Sequence, residues 1–262
     1  MTDAPWDSLR DELDRWSEAG RSLRLWLRDD DAIAPSPALS RLSELAERFE
    51  APVLLAVIPM LAEPGLAAAL QAMPLLQPCQ HGVRHQNHAP HGAKKSEFGG
   101  GRSPATVDAE IAEAGLRLRD LLGDRLVPIF VPPWNRIDPG HAARLPALGF
   151  TGLSCFRGHR LTETGDLVLL DTDLDVMDWQ GGRVGRSHED LIAELVSLLA
   201  RRRTGSIDEA TLGVLLHHRD HDDTVWSFLD ALLRLARAHP AVHLAEPRAL
   251  LDGRRDGPAS AG

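Results

Sequence analysis

The sequence predicts an α/β fold, a single parallel (β/α) barrel of seven to eight strands. Three observations predict it. Short apolar runs alternate with longer amphipathic stretches about seven or eight times along 262 residues, the pattern of parallel strands joined by crossover helices. No break in composition marks a linker and no internal repeat is visible, so residues 1–252 read as one domain and 253–262 as a disordered tail. Polar clusters fall at the C-terminal ends of the apolar runs, the face on which such barrels carry their chemistry.

Residues 5–19 read as a helix, with Leu9, Leu13 and Trp16 at helical spacing behind an acidic first turn and Gly20 ending it. Leu23, Leu25 and Leu27 alternate with Arg24, Trp26 and Arg28, a strand that runs into Asp29-Asp30-Asp31. Pro35 and Pro37 open the next helix, whose apolar stripe is Leu39, Leu42, Leu45, Ala46 and Phe49. Residues 52–58 are continuously apolar and rich in β-branched side chains, as suits a strand buried on both faces. A helix around 65–72 and a short strand at 75–79 follow, and the strand delivers His81.

Residues 86–103, with Pro90 and Gly99-Gly100-Gly101, read as a loop that is functional because it hangs off a histidine cluster. A helix at 104–122 precedes a strand at 127–131, which ends in Pro132-Pro133-Trp134-Asn135-Arg136. A helix at 139–148 and strands at 150–155 and 167–170 lead to Asp171 through Trp179. The remainder reads as helix 187–203, strand 212–216 ending in His217-His218, helix 223–238, strand 241–245 and a closing helix at 247–252.

Composition excludes several classes of function. Hydrophobic content of 43% and charged content of 26% are those of an ordinary globular protein. A formal net charge of −9 argues against nucleic acid and against anionic membrane surfaces. Cys79 and Cys155 form no disulfide framework. No basic and apolar leader opens the sequence, and no stretch reaches the length of a membrane span, so a cytoplasmic location is expected. Histidine occurs 12 times, which raises the prior for a metal or proton-transfer site.

Within Cys79 to His88 there are three histidines. His81 and His85, four apart, would sit on one side of a helical turn and suit one metal ion, whereas His88 and His91 read as loop residues lining the site. The adjacent carboxylates of Asp29, Asp30 and Asp31 repel one another, which a bound cation would offset. One aspartate with His81 and His85 makes a two-histidine, one-carboxylate site with open positions for water and substrate. A histidine of the His217-His218 pair, facing from the opposite wall, could protonate a leaving group.

As an ordered set, these residues resemble the polysaccharide deacetylase family, also called the NodB homology or carbohydrate esterase family four group. The first motif of that family, Thr/Ser-Phe-Asp-Asp-Gly, is met by Arg28-Asp29-Asp30-Asp31-Ala32. Matching Ala32 to the glycine implies Asp30 as catalytic base and Asp31 as metal ligand, with Asp29 and Asp30 as the alternative pair. The second motif, His-Ser/Thr-x-x-His, is met by His81-Gly82-Val83-Arg84-His85, with glycine at the hydroxyl position. The third, Arg-x-Pro-Tyr/Trp, is met by Val131-Pro132-Pro133-Trp134, without the arginine that pairs with the base; Arg28, Asn135 and Arg136 are candidates to replace it. The fourth, Asp-x-x-Asp-Trp, is met in full by Asp175-Val176-Met177-Asp178-Trp179, and the fifth, Leu-x-His, by Leu215-Leu216-His217 or, shifted by one, by His218.

The resemblance spans about residues 22–250 and implies an irregular (β/α) barrel. It implies a metal-dependent hydrolase that removes an acetyl or other N-acyl group from an N-acylated sugar or polysaccharide, with a divalent metal, zinc, held by Asp31, His81 and His85. Asp30 would be the base and His217 the acid, oriented by Asp175 or Asp178. Pro133, Trp134, Asn135, Arg136, Trp179 and His218 would line the substrate. Two other readings share the sequence features: hydrolysis of a small cytoplasmic amide, imide or ureide, and metal or sugar binding without catalysis.

Overall fold

The computed structural model describes residues 4–159, 161, 164–205 and 210–252; the tail expected at 253–262 lies outside them. Helices α1 (Ala4–Glu18), α2 (Pro37–Phe49), α3 (Pro64–Gln71) and α4 (Pro104–Leu122) alternate with strands β1 (Leu23–Ala32), β2 (Val53–Val57), β3 (Leu76–His81) and β4 (Ile129–Val131). Then come α5 (Pro139–Ala142), β5 (Gly152–Leu153), β6 (Val168–Leu169), β7 (Leu174–Asp175) and a small hairpin of β8 (Met177–Asp178) and β9 (Val184–Gly185). The chain ends with α6 (His188–Thr204), β10 (Thr211–Leu216), α7 (Asp223–Ala238), β11 (Val242–Leu244) and α8 (Pro247–Asp252). Local chemistry sets several of these boundaries. Ser36 Oγ accepts the Leu39 amide at 3.0 Å with Pro37 at the first helical position, and Ser187 and Asp222 cap α6 and α7 in the same way.

The strands form one parallel sheet in the order β6-β5-β4-β3-β2-β1-β10-β7. β1 is its centre: Leu23–Leu25 pair with β11, residues from Leu27 pair with β2, and the other edge pairs with β10. The two ends of the order, β6 and β7, are consecutive in the chain. The Leu170 and Thr172 amides donate to Leu153 O and Cys155 O on the β5 side, and the Asp173 amide donates to Gly213 O on β10. One kinked segment thus crosses from edge to edge and closes the ring. The expected barrel is present in this irregular form.

Two differences from expectation are local. The helix expected at 139–148 is broken into α5 and a 3-10 turn at Leu145–Leu148, where Pro146 has no amide to continue the α-helical ladder. The strand expected at 150–155 shrinks to Gly152–Leu153.

Side-chain alternation on β1 sorts the core. Leu23, Leu25 and Leu27 pack outward with residues of α1, α2, α6 and α7. Trp26 points into the ring, with Leu54, Ala56, Cys79, Ile129 and Leu250 and Leu251 of α8. Gly213 makes this possible, because a Cβ there would lie 2.7 Å from the indole of Trp26. Two and four residues further along the same strand, Arg28 and Asp30 continue the inward row toward the open end. Among the described residues no helix is long and apolar enough to cross a membrane.

Candidate active site

The three consecutive aspartates of β1 have three different partners. β1 is regular through Asp29, then slips register against β2 before Ala32, and Asp31 takes a left-handed φ of 70°. Strict alternation would point Asp29 and Asp31 the same way; the bulge re-aims Asp31, so that Asp30 and Asp31 both line the cavity at the barrel mouth. Asp29 is fully buried on the other side, where its carboxylate accepts the His218 amide at 2.8 Å and faces His218 Nδ1 at 2.5 Å. Burial would raise the Asp29 pKa, but the charge and hydrogen bond of His218 hold it below the usual carboxylate range. The same pair raises His218 above an ordinary imidazole, against the effect of burial.

Asp30 is held by Arg28. The guanidinium donates from Nε to Oδ1 at 2.9 Å and from Nη2 to Oδ2 at 3.0 Å, and both side chains are buried. The remaining donors reach across the ring. Nη1 bonds Ser154 Oγ at 2.7 Å and the carbonyls of Ser154 and Cys155, and Nη2 bonds Asn135 Oδ1. All five guanidinium hydrogens therefore have acceptors, the condition under which a buried charge is tolerated. Of the three candidates for the missing third-motif arginine, Arg28 is the one paired with Asp30, and Asn135 supports it.

His81, the last residue of β3, donates Nδ1–H to Val131 O at 3.0 Å, which leaves the lone pair of Nε2 facing the cavity. Asp31 Oδ1 lies 3.2 Å from His81 Nε2 and 3.3 Å from His85 Nε2. The three ligand atoms lie within 4.8 Å of one another. His81 Nε2 and Asp31 Oδ1 are enclosed, and neither has a properly angled hydrogen-bond partner among the described residues. At the bond lengths of zinc sites, two tetrahedral ligands stand about 3.3 Å apart, so this set fits a divalent cation. Burial would raise the Asp31 carboxyl, but His81 and His85 together hold it far below the usual range.

The two histidines are not on a helical turn, contrary to expectation. Residues 82–85 make an irregular bend with left-handed backbone at Gly82 (φ 57°) and His85 (φ 56°). A carboxylate holds that bend: Glu97, buried, accepts the amides of Val83 at 3.1 Å, Arg84 at 2.8 Å and Gln86 at 3.3 Å. A Cβ at Gly82 would lie 2.3 Å from Glu97 Oε2 and 2.6 Å from the ring of Pro133, which explains glycine at the hydroxyl position. Glu97 was not among the expected site residues; its only signal was its place in the loop hanging from the histidines. That loop is pinned by the Asp138 amide on Phe98 O and by the His88 amide on Ser96 O.

On the β4 side, Trp134 and Asn135 both adopt left-handed backbone, φ 54° and 58°, a conformation that β4 and its two prolines must impose. The turn sets the Trp134 ring 4.3 Å from that of His85. Pro133 does not line the cavity as expected, because its buried ring abuts Gly82. Trp134, Asn135 and Arg136 do line it.

Opposite stand Asp175, Trp179 and His217. Asp175 accepts the Met177 amide at 2.9 Å and Trp179 Nε1–H at 2.8 Å, and the Trp179 ring meets His217 edge-on, centroids 4.5 Å apart. Burial pushes the Asp175 carboxyl up, against the charge of His217. His217 Nδ1 is enclosed and without a partner among the described residues. Two expectations are corrected here. His218 is turned into the core by Asp29 and is not a cavity residue. Asp178 makes no hydrogen bond to His217 among the described residues; its carboxylate accepts the Gln180 and Gly181 amides and closes the β8–β9 turn.

The cavity these residues enclose has a volume of ≈ 950 Å³, enough for a ligand larger than one sugar ring. No protein-family model matches the sequence, and no curated protein matches it. Solved structures do match. A chain described as a polysaccharide deacetylase from Mycobacterium smegmatis aligns over 83% of this chain and 77% of its own, with TM-score 0.62 and 16% identity. A family 4 acetyl xylan esterase from Clostridium thermocellum, in complex with cobalt, aligns over 88% and 91%, with TM-score 0.57 and 15% identity. The peptidoglycan deacetylase PdaC from Bacillus subtilis aligns over 89% and 93%, with TM-score 0.56 and 12% identity. The chain folds as these polysaccharide deacetylases and family 4 carbohydrate esterases do.

Proposed function

We propose that the protein is a metal-dependent hydrolase that removes an acetyl or other N-acyl group from an N-acylated sugar. The observation that carries this reading is the juxtaposition, at one barrel mouth, of the Asp31, His81 and His85 cluster with Asp30, a carboxylate fixed by its own arginine. The solved structures of like fold, deacetylases and esterases among them and one in complex with cobalt, support it.

Asp31, His81 and His85 would hold the cation, for which zinc suits the two-nitrogen, one-oxygen donor set. When bound, the cation supplies Lewis acidity to the amide carbonyl and a site for water. Asp30 Oδ takes the proton of the attacking water, and Arg28, bonded to both of its carboxylate oxygens, keeps it correctly turned. The backbone N–H of Trp134 is the donor for the developing oxyanion. His217 gives a proton to the departing amine. Asp175 acts one step back, holding Trp179 by its indole N–H so that the ring fixes His217.

The test is zinc content together with acetate release from a panel of N-acetylated saccharides, for the natural chain and for His81→Ala. The natural chain should bind about one zinc and release acetate, and the variant should do neither. A His81→Ala protein with undiminished turnover would sink the scheme.

A further inference from the structure

The rim of the cavity carries charge that the hydrolytic chemistry leaves unused. The chain is acidic, with a formal net charge of −9, yet its cavity wall presents Lys94, Lys95, Arg136, Arg157 and Arg183. The acids within are already matched. Asp30 belongs to Arg28, Asp31 sits against His81 and His85, and Asp175 accepts the Met177 and Trp179 N–H groups.

The cations differ in how far they are matched. Arg183 is neutralised, with Nη2 on both oxygens of Asp220 at 3.0 and 2.9 Å. Arg157 is not, because it shares the single carboxylate of Glu194 with Arg186. Its Nη1 is enclosed and has no hydrogen-bond partner among the described residues, and the same is true of His159 Nε2, two residues on. The guanidinium Nη1 is a donor that no acceptor of the described chain meets, and the imidazole nitrogen beside it is a second unpartnered polar atom, so this turn suits an anionic acceptor from outside the chain. In the lining of the same cavity, Arg136 donates one bond to Lys95 O, and Lys94, Lys95 and Arg136 form no ion pair among the described residues. Lys95 Nζ stands 5.9 Å over the Trp134 ring, which in turn faces His85. Unmatched cations therefore line the same cavity as the reacting centre. Guanidinium forks of this kind suit carboxylate and phosphate.

We propose that the substrate is anionic: an N-acylated sugar bearing a carboxylate or phosphate group, which the Arg157–His159 turn binds and the Lys94, Lys95 and Arg136 wall attracts. This rests on the hydrolase reading of the same cavity.

The test uses the full zinc-loaded chain and three probes: N-acetylglucosamine, its 6-phosphate and its uronic acid. Binding is read by calorimetry at low and high salt, and acetate release is read separately. At least one acidic probe should bind roughly tenfold tighter than the neutral sugar, and the gap should narrow with salt. Whichever acid is preferred identifies the group as phosphate or carboxylate. The gap should collapse in Arg157→Gln and shrink in the double variant Lys94→Gln/Lys95→Gln, whose exposed side chains can change without disturbing the fold. Equal affinity for all three probes overturns the proposal, whether or not acetate is released. A preference that survives both variants also overturns it, since the anion is then held by the metal. A preference that collapses in the variants without any acetate release sustains the anion site and removes the hydrolase reading instead.

Discussion

Arg28 and Asp30 face one another two residues apart on a single strand, joined by bonds of 2.9 and 3.0 Å from Nε and Nη2 to the two carboxylate oxygens. The alternation of β1 puts both inside the ring, so the strand that carries the expected base also carries the cation that orients it. Removing one partner of a buried pair costs about 3–5 kcal/mol. Arg28→Met should lose that much in urea unfolding. Asp30→Asn preserves an acceptor for Arg28 and should stay folded while acetate release falls roughly 10²- to 10⁴-fold. A folded Asp30→Asn protein with near-natural turnover would exclude Asp30 as the base.

Metal affinity should rise with pH above the ordinary imidazole range. Burial lowers the His81 pKa, but the charges of Asp30 and Asp31 outweigh it and leave His81 raised. A ligand must be deprotonated to bind, so protons compete with the metal at a pH above the usual value of about 6.5. Burial makes His85 easier to deprotonate than a free imidazole, so it adds no such limit. Competition with a chromophoric chelator across this range should show affinity increasing with pH. A flat profile would show that His81 is not the limiting ligand.

Gly82 should be irreplaceable by the hydroxyl residue that the related motif carries. At φ 57°, with Glu97 Oε2 and the Pro133 ring inside 3 Å of any Cβ, Gly82→Ser must displace the carboxylate that gathers three amides of the histidine bend. The left-handed backbone alone costs on the order of 1–3 kcal/mol. Thermal unfolding and zinc affinity should therefore weaken together. Glu97→Gln, which retains one carbonyl oxygen, should have a milder effect on both. A Gly82→Ser protein with natural zinc affinity would show that the bend does not depend on Glu97.

The barrel and most of its boundaries were legible because strands and helices carry their own periodicities, as in α4 and α7, where the expected and observed ends coincide. The residue types at the strand ends were legible for the same reason. Which of Asp29, Asp30 and Asp31 faces the cavity was not, because a register slip against β2 and one left-handed φ decide it. The choice of His217 over His218 depends on Asp29, 189 residues away from His218 in sequence. Glu97 lies in a stretch without periodicity, and only the folded turn gives it three amides to accept. Arg28 was one of three candidates, and only closure of the ring brings Asn135 and Ser154 within its reach.

The Asp29–His218 pair should leave a signature in stability against pH. The pKa of Asp29 is lowered, so its contribution is present above the unfolded value of about 3.9 and is lost as pH falls through the folded value. The pKa of His218 is raised, so its contribution is complete below about 6.5 and is lost as pH rises through the folded value. The pair therefore stabilises fully between about pH 4 and 6.5 and progressively less above. His217 and His221 lie in the field of the same carboxylate, so the effect is isolated by comparison: urea unfolding of the natural chain and of His218→Gln, both metal-free, across neutral to alkaline pH. The natural chain should lose its advantage over the variant as pH rises, with Asp29→Asn behaving like His218→Gln. Because neither side chain enters the cavity, His218→Gln should retain acetate release, whereas His217→Ala should lose roughly 10²-fold or more. Parallel stability curves would mean that the pair is neutral at every pH tested, and loss of turnover in both histidine variants would return His218 to the site.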